Sequence, residues 1–195
     1  MPDPVHVLLI SGSLRAASTN TAVLRTAAEV ADAGVTTTLY AGMGDLPHFN
    51  PDDDREGVPV HAAVAELRAA VGSADALLLS TPEYAGALPG ALKNLLEWTV
   101  GDAGTYNKPI GWINASGPAA PTGGADAHDS LRKVLGYVHA DIVEAACTRV
   151  PLTRDAVGPD GTVTDPALRE QIGETLRALV RGVAGDVGAT FRPET

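Results

Sequence analysis

VHVLLISGSLRAASTN, residues 5–20, is the stretch from which the rest of the chain is read. A short apolar run leads into a turn of glycine, hydroxyls and one arginine, and the turn leads into the start of a helix. A buried strand that feeds its chain through such a turn is the usual anion site of α/β proteins. Free backbone N–H groups and the positive end of the helix dipole converge on the ligand. Ser11, Ser13, Ser18, Thr19 and Asn20 can add side-chain hydrogen bonds, and Arg15 can add a forked positive charge. Read alone, the same letters also fit a plain capped helix start, with Ser18 or Asn20 satisfying orphan N–H groups. The stretch is neither the dinucleotide pattern G-x-G-x-x-G nor a P-loop, since no Gly-Lys-Ser/Thr follows.

Outward from this stretch, strand and helix signals alternate. Residues 5–10 predict a strand buried on both faces, and 20–33 a helix closed by Gly34 in the position that follows a helix end. TTTLY predicts a second strand over 35–40. A polar loop, 41–57, leads to a helix opened by Pro59 and running to Val71. ALLLS, 76–80, is a third strand, and Pro89 opens the next helix. Further strands are expected at 109–115 and 142–150, and a helix at about 126–139. Asp160-Gly161 marks a turn, and Asp165 caps a last helix with Leu168, Ile172, Leu176, Leu179 and Val183 on its buried stripe. Strands alternating with helices predict a parallel, doubly wound, three-layer α/β sandwich with a five-stranded sheet in the order 2-1-3-4-5. In that order the loops after strands one, three and four surround one crevice above the carboxyl ends of the strands.

The chain has 195 residues, which fits a single domain over 1–195, with the last ten or so residues expected to fray. A net charge of −10 argues against nucleic acid, while leaving room for a locally positive anion site. The single Cys147 can form neither an intrachain disulfide nor a cysteine zinc site. A reducing, cytoplasmic setting is expected. The N-terminus has no basic start followed by a long apolar segment, and no run reaches membrane-spanning length.

The loop after strand three carries a second motif. In Pro82-Glu83-Tyr84-Ala85-Gly86, Pro82 stiffens the chain, Gly86 permits close backbone approach to a flat ligand, and Tyr84 offers an amphipathic ring. Alone it also reads as a strand-to-helix connection punctuated by Pro and Gly. Lys93 and Glu97 read as a surface i,i+4 pair, and Trp98 as packing or a subunit contact. Gly12-Ser13-x-Arg15-x-x-Ser18-x-Asn20, followed by Pro82-Glu83-Tyr84-x-Gly86-x-x-Pro89-Gly90-x-Leu92-Lys93-Asn94-x-x-x-Trp98, resembles the NADPH-dependent FMN reductase family. Those proteins are flavodoxin-like and include quinone, azo-dye and chromate reductases. The resemblance implies that Ser13, Arg15, Ser18, Thr19 and Asn20 surround the FMN phosphate. It also implies that Pro82, Glu83, Tyr84, Ala85 and Gly86 line the ribityl chain and ring, largely through backbone atoms, and that Ser116 and Gly117 border the flavin. The third loop departs from the family's compact Ser-x-Gly-x-x-Gly turn, and Ala85 stands where many relatives have Asn or His.

The expected activity is hydride transfer from NADPH or NADH to FMN, and then to a quinone, azo compound, metal oxyanion or free flavin. No catalytic side chain is demanded by hydride transfer itself. The resemblance further implies a homodimer or homotetramer, with the helix end Leu95–Trp98 as the contact. A flavodoxin-type electron carrier without NAD(P)H activity is the rival reading, but such carriers usually lack an arginine in the phosphate loop. A receiver-type regulatory domain would need an acceptor aspartate where Ser80-Thr81 stands. Asp52, Asp53 and Asp54 read as a solvated acidic loop, the five histidines show no metal-ligand spacing, and His128 reads as a surface residue. Cys147 reads as a small buried side chain.

Overall fold

The structure is a computed structural model that describes residues 3–117 and 120–186. The strands are β1 (Val5–Ser11), β2 (Val35–Tyr40), β3 (Ala76–Ser80), β4 (Pro109–Ser116) and β5 (Asp141–Pro151). They form one parallel sheet in the order β2-β1-β3-β4-β5, the expected one. The helices are α1 (Thr19–Glu29), α2 (Ala62–Ser73), α3 (Gly90–Trp98), α4 (Ala125–Tyr137) and α5 (Pro166–Asp186).

The period of two along each strand splits one apolar run between two cores. Leu8 and Ile10 of β1, Leu77 and Leu79 of β3, and Ile110 and Trp112 of β4 pack with Val64, Leu67, Leu92, Leu95 and Leu131 of α2, α3 and α4. Their chain neighbours Val7, Leu9, Leu78 and Ile113 pack with Val23, Leu24, Ile172 and Leu176 of α1 and α5. Covering both faces is what lets these strands be apolar throughout.

Several boundaries move, each for a local reason. Helix α1 stops at Glu29 rather than Ala33, because Val30 closes it by donating to Thr26 O and Val35 N then bonds to Asp32 O. Gly34 (φ +92°) serves the turn into β2, not the helix end. Helix α2 starts at Ala62, where His61 Nδ1 accepts from Ala63 N, so Pro59 lies outside it. Pro89 is the residue before α3 rather than within it. Strand β5 carries an irregularity opposite Gly111: the register jumps from Ile110↔Ile142 to Trp112↔Cys147. A Cβ on Gly111 would lie 2.6 Å from Ala146 Cβ, so β4, facing the bulge, needs glycine there. Asp165 caps α5 as expected, accepting from Ala167 N and Leu168 N.

Two side-chain expectations are corrected. Asp54 is not solvated: it pairs with Arg68 at 2.7 Å, and Arg68 also donates to Trp98 O, joining α2 to the end of α3. The 41–57 stretch is further fixed by Asn94, whose Oδ1 accepts from Phe49 N while its Nδ2 donates to Pro47 O. Trp98 Nε1 donates to Pro47 O as well. Leu95, Leu96 and Trp98 lie in the chain's own core and are not free to meet another subunit. The exposed apolar side chains nearby are Val100, Tyr106 and Tyr137. The expected fraying at the C-terminus falls on 187–195, outside the described residues.

Candidate functional site

The loops after β1, β3 and β4 meet at the carboxyl rim of the sheet. The first is fixed from below by Asn20, which is buried at the start of α1. Its Oδ1 accepts from Ser80 Oγ at 3.0 Å and from Ala115 N at 3.3 Å. The second bond answers a strand-end problem. The β3–β4 pairing ends at Ser80↔Ile113, yet β4 continues to Ser116, so Ala115 has run past its neighbour. With Oδ1 engaged, Nδ2 is left as the donor of the Asn20 amide that makes no bond among the described residues. Ser18 caps α1 through Oγ to Asn20 N, and Ser13 Oγ accepts from Arg15 N. The N–H groups of Ala16, Ala17 and Ser18 find no acceptor among the described residues. Arg15 is exposed and makes no ion pair among the described residues. Thr19 stands at the first position of α1. The loop is thus a set of unused donors around a helix N-terminus, which suits an anionic phosphate. A groove of about 340 Å³ beside it, lined by Arg25 and Arg154 among others, adds positive charge on an acidic chain.

In the second loop, Tyr84 N donates to Ala87 O and Ala87 N donates to Tyr84 O, closing a two-residue turn. Ala85 (φ +52°) and Gly86 (φ +71°) both adopt left-handed backbone, the requirement of a type I′ turn. Gly86 is therefore demanded by conformation. A Cβ there would meet only Asp126 Oδ2, at an ordinary 3.6 Å. The turn presents Tyr84, about half exposed, at the rim. Pro82 is half-buried, and Thr81 Oγ1 donates to its carbonyl.

The Glu83 side chain does something its sequence position did not reveal. Both of its carboxylate oxygens lie 2.6–2.7 Å from Thr122 Oγ1, and Oε2 also accepts from Ala127 N at 3.3 Å. The carboxylate thus reaches across to the third loop and into the first turn of α4. Ser116 O accepts from Leu152 N, Gly117 is exposed, and Gly117 O accepts from Ala120 N. Asn114, fully buried, donates through Nδ2 to Thr81 O. Its Oδ1 has no partner among the described residues and faces Gly124, where any Cβ would collide with it. An amide inside the otherwise apolar PIGWINAS strand was the signal that could have singled Asn114 out. Nothing in the sequence singled out Thr122.

The remaining candidates lie away from this rim. His128 is half-buried under α4 rather than on the surface, with Nε2 3.0 Å from Thr148 O and its ring edge-on to Trp112. Burial holds its pKa below the usual histidine value, and Arg149 and Arg132 push in the same direction. Cys147 is half-buried, and desolvation pushes its thiol up to about 12, which keeps it an unreactive thiol. Among the described residues no group of three or more His, Cys, Asp or Glu is arranged to hold a metal ion. Nor is any described helix long and apolar enough to cross a membrane.

Residues 5–151 match the model of a family described as NADPH-dependent FMN reductase. The chain is 33% identical over 181 residues to an NAD(P)H-dependent FMN reductase of Pseudomonas aeruginosa, covering 92% of this chain and 95% of that one. It is 28% identical to a quinone reductase of Escherichia coli, with the same coverage of 92% and 95%. Among solved structures, FerB, a flavoenzyme NAD(P)H:(acceptor) oxidoreductase from Paracoccus denitrificans, superposes with a TM-score of 0.80. That match has 27% identity and spans 93% of this chain and 98% of FerB.

Proposed function

The chain belongs to the NADPH-dependent FMN reductase family, and from that premise we propose that it passes electrons from NAD(P)H through FMN to a small quinone-type acceptor. It is an oxidoreductase of flavodoxin-like fold with FMN as its cofactor and NAD(P)H as reductant. Azo compounds, metal oxyanions and free flavin are the further acceptors that the same chemistry would serve. The observation that carries the reading is the clustering, at one rim, of unused loop donors beside Arg15 with the exposed Tyr84 turn.

In this reading Ser13, Arg15, Ser18, Thr19 and Asn20 hold the FMN phosphate, with Asn20 donating through Nδ2. Pro82, Glu83, Tyr84, Ala85 and Gly86 form one wall for the ring, and Ser116 and Gly117 border it from the other loop. Bound FMN supplies the hydride chemistry. The protein's share is to fix the ring's orientation and to leave one face open for reductant and acceptor in turn. Backbone N–H groups near Ser116 and Gly117 stabilise negative charge that develops there. No side chain is assigned as acid or base.

We take 1–195 as one such unit, in a reducing, cytoplasmic setting that its single cysteine fits. For self-association, the groove between α3 and α4 replaces the buried Leu95–Trp98 face. Val100 and Tyr137 are exposed there, and Lys93, Glu97 and Lys133 stand on its rim. Lys93 and Glu97 pair with each other there at 2.6 Å, and the exposed apolar side chains beside them are the surface through which copies would associate about a two-fold axis, as a homodimer or homotetramer.

The purified chain should be yellow and should bleach with NADPH under nitrogen. It should then oxidise NADPH in steady state with menadione as acceptor. A chain that binds FMN but turns over no NADPH would be a carrier of the flavodoxin type.

A further inference from the structure

We propose that Glu83 is a positioning residue whose carboxylate clasps the loop after β4 and the start of α4 to the Tyr84 turn, setting the width of the slot that takes the flavin ring. The inference rests on the FMN reading and adds a role for a side chain that the family motif supplies only as part of a backbone wall.

Helix α4 begins without a cap of its own. Its N-cap is Gly124, in left-handed backbone (φ +84°), which has no side chain to cap the N–H groups of the first turn. A side chain at that position is excluded because Asn114 Oδ1 occupies the space of a Cβ. The orphan N–H of Ala127, at the third position of the helix, is instead satisfied by Glu83 from a different loop. Negative charge at a helix N-terminus is favourable, so the missing local cap gives the distant carboxylate a reason to stay. Thr122 completes the link: its hydroxyl lies 2.6–2.7 Å from the two carboxylate oxygens and accepts from Gly124 N at 3.2 Å. One carboxylate therefore bonds the loop preceding α4 and the helix itself. Its own backbone is the residue before Tyr84, which opens the two-residue turn. With both oxygens engaged inward, Glu83 does not serve as an acid or base toward a substrate. What it controls is the spacing of two loops that must be pre-set for a flat ligand to enter without an ordering cost.

The test is FMN titration of flavin-stripped, full-length protein, read by flavin fluorescence, for wild type, Glu83→Ala, Glu83→Gln, Thr122→Val and the Glu83→Ala/Thr122→Val double variant. Glu83→Ala and Thr122→Val should each weaken FMN binding by about tenfold or more, and the double variant should be no worse than about threefold beyond either single one. Glu83→Gln keeps an acceptor for Thr122 and Ala127 and should recover most of the affinity. In Glu83→Ala the visible flavin band should also lose the fine structure of an ordered ring, while Glu83→Gln, which keeps the acceptor for Ala127, should hold the urea midpoint of the flavin-free protein near wild type. FMN binding by Glu83→Ala within about threefold of wild type, fully multiplicative losses in the double variant, or a Glu83→Gln protein as weak as Glu83→Ala would each overturn the clasp. A wild-type chain that takes up no FMN overturns the functional reading and the clasp together. Normal wild-type binding with unaffected variants overturns the clasp alone.

Discussion

Replacing Asn20 with alanine tests the joint on which the rim is built. The amide is 2% exposed and accepts from two donors, the hydroxyl of Ser80, which is fully buried, and the N–H of Ala115, which is 4% exposed. Alanine removes the acceptor from both, and both lie too deep for bulk water to replace it freely. A buried donor left unsatisfied costs ~1–3 kcal/mol, so two give about 2–6 kcal/mol of lost stability. The measurement is urea unfolding of the flavin-free protein, so that cofactor binding does not enter through mass action. A Ser80→Ala partner variant completes a double-mutant cycle. Removing both ends of the Ser80–Asn20 bond leaves only Ala115 orphaned, so the double variant should be less destabilised than the sum of the singles by ~0.5–1.5 kcal/mol. If Asn20→Ala costs less than ~1 kcal/mol, the range for an ordinary hydrogen bond, or if the cycle is additive, then Asn20 does not close the end of β4 and the reasoning fails.

Arg15→Ala should weaken FMN retention by about 1–3 kcal/mol, the range for losing a charged hydrogen bond, and unchanged affinity in a titration would remove Arg15 from the phosphate site. Ala85→Asn should raise the stability of the flavin-free protein by up to ~1 kcal/mol, because asparagine tolerates left-handed backbone that costs alanine ~1–2 kcal/mol; a fall in melting temperature would refute the turn assignment. His128 is held neutral by burial, so its native pKa lies below its unfolded value. Its neutral form contributes stability that is present above the unfolded pKa, about 6.5, and is lost as pH falls through the depressed native value. The stability of wild type relative to His128→Phe should therefore shrink between neutral pH and pH ~5, whereas a difference that grows on acidification would contradict the burial account.

The alternation of apolar runs with helix signals carries most of the fold, because the central strands β1, β3 and β4 are covered on both faces and the helices on one. Hydrophobic periodicity alone then orders the layers. Gly12 through Asn20 and Pro82 through Gly86 were legible as two loops at one rim for the same reason: strand and helix signals flank them directly. Two kinds of feature stayed hidden. Helix ends depend on which acceptor a particular N–H finds, so Gly34 and Pro59 misled by a few residues. Contacts between loops distant in sequence leave no local pattern, so the reach of Glu83 to Thr122 and Ala127 could not be foreseen.

By itself, then, the sequence determined the element order, the sheet topology and the loops that share a crevice, because burial of apolar side chains is a property of spacing along the chain. Only the tertiary structure decided that Asn20 spends its carbonyl oxygen on Ser80 and Ala115, that Trp98 is sealed inside, and that a carboxylate from one loop caps a helix belonging to another. Those choices follow from directional bonds across three dimensions, where a donor takes the acceptor the fold brings within about 3 Å, however far away it lies in sequence.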